Sequence, residues 1–190
     1  KEMPARLKEY HEVFSGNVIA QNRLKGVGFL SREDAINYGV TGPSGRGSGW
    51  ACDVRKRSPY AAYDKVQFDE VLYNEGDSYA RYMVRMKEIE QSLHILEQLV
   101  DNIPEGDYLA KTKPIIKVPE GRYFKEVEAA RGAFGIYLES RGDKFPYRLK
   151  VNSPGFNLVG AVDHMTRGSK IADLIAIGGS LDYVVPDIDR

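Results

Sequence analysis

The clearest hydrophobic pattern in the chain runs from Asp77 to Asn102. Tyr79, Tyr82, Met86, Ile89, Leu93, Leu96 and Val100 recur at alternating three- and four-residue spacing, which places them along one stripe of a long helix. Met83 and Leu99 widen the stripe, Asp77 suits its N-cap, and Pro104 followed by Gly106 marks its end. At ~1.5 Å per residue such a helix is nearly 40 Å long, so part of its stripe is expected to lie against another chain or another part of this one. Two shorter helices precede it. One starts near Pro4 and runs to about Phe14, with Gly16 at its exit. The other lies in "SREDAINYG", where Ser31 with Asp34 starts the helix and Gly39 stops it.

After the long helix the period shortens. "YFKEVEAA" alternates loosely, and "FGIYLES" and "YRLKVN" are β-branched and aromatic, with "RGDKFP" between them. The last two read as a hairpin with a longer turn. Asn157 to Arg167 and Ser169 to about Leu181 read as helices separated at Gly168. Between the early helices and the long one, "VTGPSGRGSG" (Val40–Gly49) has four glycines and a proline. It reads either as a flexible linker or as an ordered loop pressed close to something. The aromatic and charged residues that follow favour the ordered loop. The expected class is α+β and helix-dominated.

Composition narrows the function. The chain has 190 residues, 42% of them apolar, and 27 cationic side chains balance 27 anionic ones. That balance gives no electrostatic case for nucleic acid or an anionic membrane. No window approaches ~18 uninterrupted apolar residues. The single Cys52 rules out an internal disulfide and a multi-cysteine metal site. His11, His94 and His164 are isolated from one another, without metal-ligand spacing.

Three groups of charge remain as candidates. Arg46, Asp53, Arg55, Lys56 and Arg57 gather about the glycine-rich loop. They form either a solvated face or a charged shelf at a cofactor or subunit interface. Arg131, in "EAARGAFGIYL", is either turn punctuation or a cation aimed at a buried site. Asp163, Asp173, Asp182, Asp187 and Asp189 crowd the last thirty residues. If Asp182 and Asp187 are buried they need partners, and Arg190 is an available one.

Taken together, these blocks resemble one family. "GVGFLSREDAINYGVTGPSGRGSGWACDVRKRSPYAAYD", "GDSYARYMVRMKEIEQSLHILEQ", "EAARGAFGIYLES", "PYRLKVNSPGF", "HMTRGSKIADLIAIGGSLD" and the closing "DIDR" are similar, in order, to the D-type subunit of respiratory complex I, the NADH:quinone oxidoreductase. The resemblance covers nearly the whole chain. It implies residues 1–190 as one domain, the C-terminal region of that subunit, with the N-terminal half absent, and it leaves open whether the C-type subunit is fused upstream. It implies a place in the peripheral arm, on the cytoplasmic side of the bacterial inner membrane. There the D-type subunit meets the iron–sulfur B-type subunit and the C-type subunit. It helps to form the site where quinone is reduced beside the terminal iron–sulfur cluster, in an enzyme that translocates protons. No cofactor is expected on this chain itself, and the piece alone is expected to be inactive. Arg46, Asp53, Arg55 and Lys56 would form a shelf facing the redox region.

The family is in turn similar to the large subunit of nickel–iron hydrogenases, whose chain ends near D-P-C-x-x-C-x-x-H. Laid on "DYVVPDIDR", that pattern puts Asp182 at the aspartate, Val184 and Asp187 at the cysteines and Arg190 at the histidine. Arg131 falls on the arginine of a P-R-G motif, a position where complex I members usually carry Lys. Valine cannot replace a thiolate, so no metal is expected. The tail is expected to fold inward, with Arg131, Asp182, Asp187 and Arg190 about a relic metal cavity. The segment before "EVEAARG" is shorter than the family's longer form. A structural assembly module and a degenerate hydrogenase-type large subunit are the competing readings.

Overall fold

The structure is a computed structural model and describes residues 2–112 and 114–189. The fold is α+β and dominated by helices. Helix α1 (Met3–Tyr10) runs into a π turn over His11–Ser15 and is followed by α2 (Val18–Leu24), α3 (Arg32–Tyr38), α4 (Gly42–Arg46) and α5 (Val54–Arg57). The long helix α6 (Ser78–Val100) precedes a sheet of β1 (Gly121–Ala129), β2 (Gly132–Ser140) and β3 (Arg148–Asn152). Helices α7 (Pro154–Gly160), α8 (Val162–Thr166), α9 (Ile171–Leu181) and α10 (Val185–Ile188) close the chain. No helix among the described residues is long and apolar enough to cross a membrane.

Caps explain most of the boundaries. Ser31 Oγ accepts from the Asp34 amide at 3.0 Å, and Asp77 Oδ1 accepts from the Ala80 amide at 2.8 Å. Asn17 starts α2 by accepting from the Ile19 and Ala20 amides. The apolar pattern does not predict this helix, because its apolar residues Val18 and Ile19 are exposed. The predicted helix from Asn157 to Arg167 is instead two: α7 begins earlier, at Pro154 behind the Ser153 cap, and the chain breaks at Ala161 before α8.

Val40–Gly49 is an ordered segment, and Gly42 to Ser48 are all buried. Gly42 has φ +68°, and a Cβ on it would sit 2.5 Å from the Gly132 Cα. Only a residue without a side chain lets α4 approach the start of β2 this closely. That excludes the linker reading.

The sheet is antiparallel in the order β1-β2-β3, with Phe124, Tyr137 and Lys150 in register across it. Its near end meets α4 and α5. The main core packs Leu30, Val40, Leu158, Met165, Ile177 and Leu181 together. A smaller cluster of Val66, Phe68 and Ile95 sits under the loop before α6.

Helix α6 carries a different buried face from the predicted one. Arg81, Val84, Met86 and Ile95 are buried, whereas Leu96 and Val100 are about 60% exposed (61% and 62%). The apolar stripe is therefore only partly covered, and the core instead buries the Arg81 guanidinium, which lies off that stripe.

Candidate functional site

Four elements converge on Arg46. Helix α4 ends on it, Asp53 caps α5 beside it, α6 presents Glu88 and β1 presents Glu128. Arg46 is 1% exposed and Asp53 is 2% exposed, so neither belongs to a solvated face. Arg46 Nε donates to Glu88 Oε1 at 2.7 Å, and Nη1 donates to Glu128 Oε1 at 2.7 Å. Its Nη1 also lies 4.0 Å from Asp53 Oδ2. The second oxygen of Glu128 accepts from the Val54 amide at 3.0 Å. Arg55 grips Asp53 through two nitrogens, Nε to Oδ1 at 2.9 Å and Nη2 to Oδ2 at 2.6 Å. The Asp53 amide donates to Glu70 Oε1 at 2.9 Å.

Arg46, Asp53 and Arg55 are thus brought together. Lys56 is not: it is exposed, and its ammonium lies 4.1 Å from the centre of the Phe68 ring. Arg57 pairs at the surface with Glu126. Arg55 and Lys56 share the Phe68 ring, the Arg55 guanidinium lying 5.0 Å from its centre, but only Arg55 also reaches the buried network.

Burial and pairing compete at every member of this network. Burial opposes the charge on Arg46, but Glu88 and Glu128 outweigh it and raise its pKa. Burial likewise disfavours the Asp53 carboxylate, and its hydrogen bonds from Arg55 together with the Arg46 charge hold it below the ordinary value. At Glu88 burial wins, and the pKa is raised despite Arg46. The Cys52 thiol beside them is pushed up to about 12, first by burial.

A second cluster lies where α6 meets the end of α9. Arg81 is fully buried. It donates to Ser180 Oγ at 2.9 Å and to the carbonyls of Gly76 at 3.0 Å and Gly28 at 2.8 Å. Burial pulls its pKa down to about 9, which leaves it charged at neutral pH. One turn on, Arg85 donates to the Arg81 and Leu181 carbonyls. Its Nε is buried without a partner among the described residues.

The predicted tail residues occupy separate places. Arg131 Nε donates to the Asp182 carbonyl, and Nη2 is 3.7 Å from its carboxylate. Asp182 itself is a half-exposed C-cap at φ +58°. Asp187 accepts from the Gly155 amide at 2.9 Å and receives the Ser153 hydroxyl on its carbonyl. Arg190 lies outside the described residues. The tail folds back onto α7, but Tyr183, Val184 and Val185 are exposed. The tail thus folds inward as far as α7, docked there by backbone and carboxylate contacts, while Arg131 and Asp182 pair apart from Asp187 and no common cavity gathers them. No group of three or more His, Cys, Asp or Glu among the described residues could hold a metal ion.

Sequence reasoning missed Glu88, Glu128, Arg81 and Arg85. Arg81, Arg85 and Glu88 lie at i, i+4 and i+7 on α6, one face of a helix, and that spacing was the available signal. Nothing local marks Glu128, whose partner is 82 positions away. A groove of about 610 Å³ between α1 and α6, lined by Leu7, His11, Leu93 and His94, shares no residue with the ion network.

The chain matches the family model described as respiratory-chain NADH dehydrogenase, 49 Kd subunit, over residues 1–117 and 111–190. It is 70% identical over 184 residues to the C/D subunit of NADH-quinone oxidoreductase from Phocaeicola vulgatus, covering 97% of this chain and 36% of that protein. It is 52% identical to the D subunit of the Desulfotalea psychrophila enzyme, over 99% of this chain and 51% of the relative. The D subunit from Bacillus cytotoxicus is 44% identical, over 98% and 51% respectively. The chain therefore spans between about a third and a half of the length of these relatives, and it matches the C-terminal part of the D-type subunit. This chain belongs to the 49 kDa subunit family of respiratory-chain NADH dehydrogenases.

Proposed function

We propose that this chain is the part of the D-type subunit of an NADH–quinone oxidoreductase that helps to shape the site of quinone reduction, beside an iron–sulfur cluster held by the B-type subunit. Electron transfer there would be coupled to proton translocation elsewhere in the enzyme. The observation that carries this reading is the buried network of Arg46, Asp53, Arg55, Glu88 and Glu128. Its charges are fixed by four elements before any ligand arrives. Preorganised charge of this kind acts on a nearby redox reaction without a cost of reorientation. The cations raise the affinity of neighbouring groups for electrons, and Glu88, with its raised pKa, responds to added negative charge by holding a proton more tightly. Quinone is the substrate implied, and the cluster belongs to the neighbouring subunit. The names of the relatives support membership of such an enzyme. Within it the chain would sit beside the C-type subunit on the cytoplasmic side of the membrane.

The chemistry of this chain is positional. Arg55 holds Asp53 by two bonds, Asp53 caps α5, and α5 packs on β1, so the orientation of Glu128 depends on that pair. Reversing Arg55 to Glu in the intact enzyme is expected to lower NADH:quinone reductase activity at least tenfold. Electron transfer from NADH to a hydrophilic acceptor that takes electrons upstream of quinone is expected to stay unchanged. Wild-type quinone reductase activity in an enzyme that contains R55E would refute the role. The isolated 190-residue chain is expected to have no NADH or quinone turnover.

A second reading, a module that serves only assembly, is favoured by one observation. Helix α9 presents Ile171 at 91% and Ile175 at 82% exposure, too much apolar surface to leave in water at adjacent turns. If assembly is the whole role, R55E lowers the amount of complex on a native gel while each assembled complex keeps its specific activity.

A further inference from the structure

The far end of the sheet is unlike the rest of this electrically balanced chain. Lys117, Arg122, Arg141, Lys144, Arg148 and Lys150 gather there against Glu120, Glu139 and Asp143. The register places Arg122, Glu139 and Arg148 in one row and Phe124, Tyr137 and Lys150 two rows on, on the same face, with Tyr123, Leu138 and Leu149 between them on the opposite face. The loop before β1 joins this end, where the Ser140 hydroxyl donates to the Val118 carbonyl at 2.7 Å. Ile116, Val118, Phe145 and Pro146 line one small pocket there. Among the described residues, Lys117, Arg148 and Lys150 have no carboxylate at ion-pair distance, and Arg122 has only a 3.9 Å contact with Glu139. Set among these cations are Ile116 at 68%, Phe145 at 69% and Leu149 at 56% exposure. The Arg141 guanidinium stacks 3.3 Å from the centre of the Tyr147 ring, so that cation and aromatic pair is held in place before any partner binds.

We propose that this end of the sheet is a docking surface for an acidic, partly apolar face of a neighbouring subunit in the same enzyme. The inference rests on the functional reading above. Charge complementarity selects the partner: along the β3 edge the cations Arg148 and Lys150 lie on one face and Leu149 on the other, which pairs with a segment whose carboxylates and apolar side chains alternate. The backbone selects protein over lipid. β3 is an edge strand with no further strand beyond it among the described residues, and its outward N–H and C=O groups need hydrogen-bonding partners that acyl chains cannot supply. A protein segment laid along β3 satisfies them while its acidic side chains meet Arg148 and Lys150.

The test uses a zero-length carbodiimide on the purified complex, because it joins only amines and carboxylates already in contact. Products from Lys117, Lys144 or Lys150 to Asp or Glu of another subunit, read by mass spectrometry, are expected. In K150R, which keeps the charge, the Lys150 product is lost and assembly is unchanged. In the double variant R148E/K150E, the amount of complex containing this chain is expected to fall at least fivefold on a native gel at 300 mM salt. All these positions are exposed, and far-UV circular dichroism of the isolated variants checks that they fold. An enzyme that contains the chain but yields no intersubunit product from these lysines overturns the proposal. So does binding to anionic vesicles that R148E/K150E abolishes, which would assign the surface to lipid. If the chain does not enter such a complex at all, the functional reading fails and this inference fails with it.

Discussion

Arg46→Met is the sharpest probe of the buried network. Methionine fills a similar length of hydrocarbon, so the change removes charge more than volume. The guanidinium is 1% exposed and bonds Glu88 and Glu128 at 2.7 Å each. Its loss leaves two carboxylates in a dry site, facing Asp53 without their shared cation. Breaking a buried ion pair by removing one partner costs about 3–5 kcal/mol. For a chain of this size each kcal/mol moves Tm by roughly 2–4 °C, so a fall of roughly 6–20 °C is expected. The deficit should depend on pH. The Glu88 pKa is already raised in the folded state, so folding favours its protonated form and this contribution to stability declines as pH rises through that window. Without Arg46 the Glu88 carboxyl moves further upward, so the deficit is expected to shrink as pH falls from 7.5 to 5.5. Chemical denaturation of wild type and variant at both pH values measures it. A deficit below about 1 kcal/mol at pH 7.5, the range of a surface pair, would refute the claim that Arg46 anchors the network. Arg46→Lys keeps a charge but not the fork, and is expected to fall between the two.

Three further outcomes follow from the same geometry. Gly42→Ala puts a Cβ 2.5 Å from the Gly132 Cα at a positive φ, so a loss of at least ~2 kcal/mol by denaturant titration is expected. Cys52, with its pKa near 12, is thiolate only to about three parts in a hundred thousand at pH 7.5, so a thiol reagent should label it slowly in the native chain and fully in guanidinium. Asp77→Ala removes acceptors from both the Ala80 and Gly26 amides, each 2.8 Å away. It is expected to cost ~1–3 kcal/mol, seen as a lower thermal midpoint.

The elements legible in the sequence are those whose signals are local. The α6 start can be read because Asp77 sits at the N-cap, and α3 because Ser31 and Gly39 bracket it. The hairpin of β2 and β3 follows from its residue types. The buried face of α6 is misread because periodicity counts hydrocarbons and passes over Arg81, which this core buries. In the candidate site, Arg46, Asp53 and Arg55 group correctly because they lie within ten positions. Glu88 and Glu128 escape notice because their selection depends on how α6 and β1 approach α4, 42 and 82 positions along the chain. Lys56 stays at the surface beside Arg55 over the Phe68 ring, outside the ion network.

The composition of the network explains why burial prevails at Glu88 and not at Asp53. Two guanidiniums, Arg46 and Arg55, face three carboxylates, Asp53, Glu88 and Glu128. Asp53 takes a bidentate bond from Arg55 and a backbone amide besides, and Glu128 adds the Val54 amide to its bond from Arg46. Glu88 takes its side-chain bonds from Arg46, feels Arg55 only through its charge and feels Asp53 as a like charge. Hydrogen bonds to the charged form are what offset burial: at Asp53 the Arg55 bonds prevail, and at Glu88 burial does. The site is therefore one negative charge in excess when fully ionised, and it has a defined place to put a single proton. An apolar core of the same volume would hold α4, α6 and β1 together as well or better, but it would have no proton to exchange. Glu88→Gln separates these two properties. It keeps the size and a hydrogen-bonding carbonyl for Arg46, so stability is expected to change by less than ~1.5 kcal/mol, while the proton uptake on folding that Glu88 contributes between its unfolded and folded pKa values should vanish. Potentiometric titration of folded and unfolded chain measures that difference, and an unchanged curve in E88Q would place the excess charge elsewhere in the network.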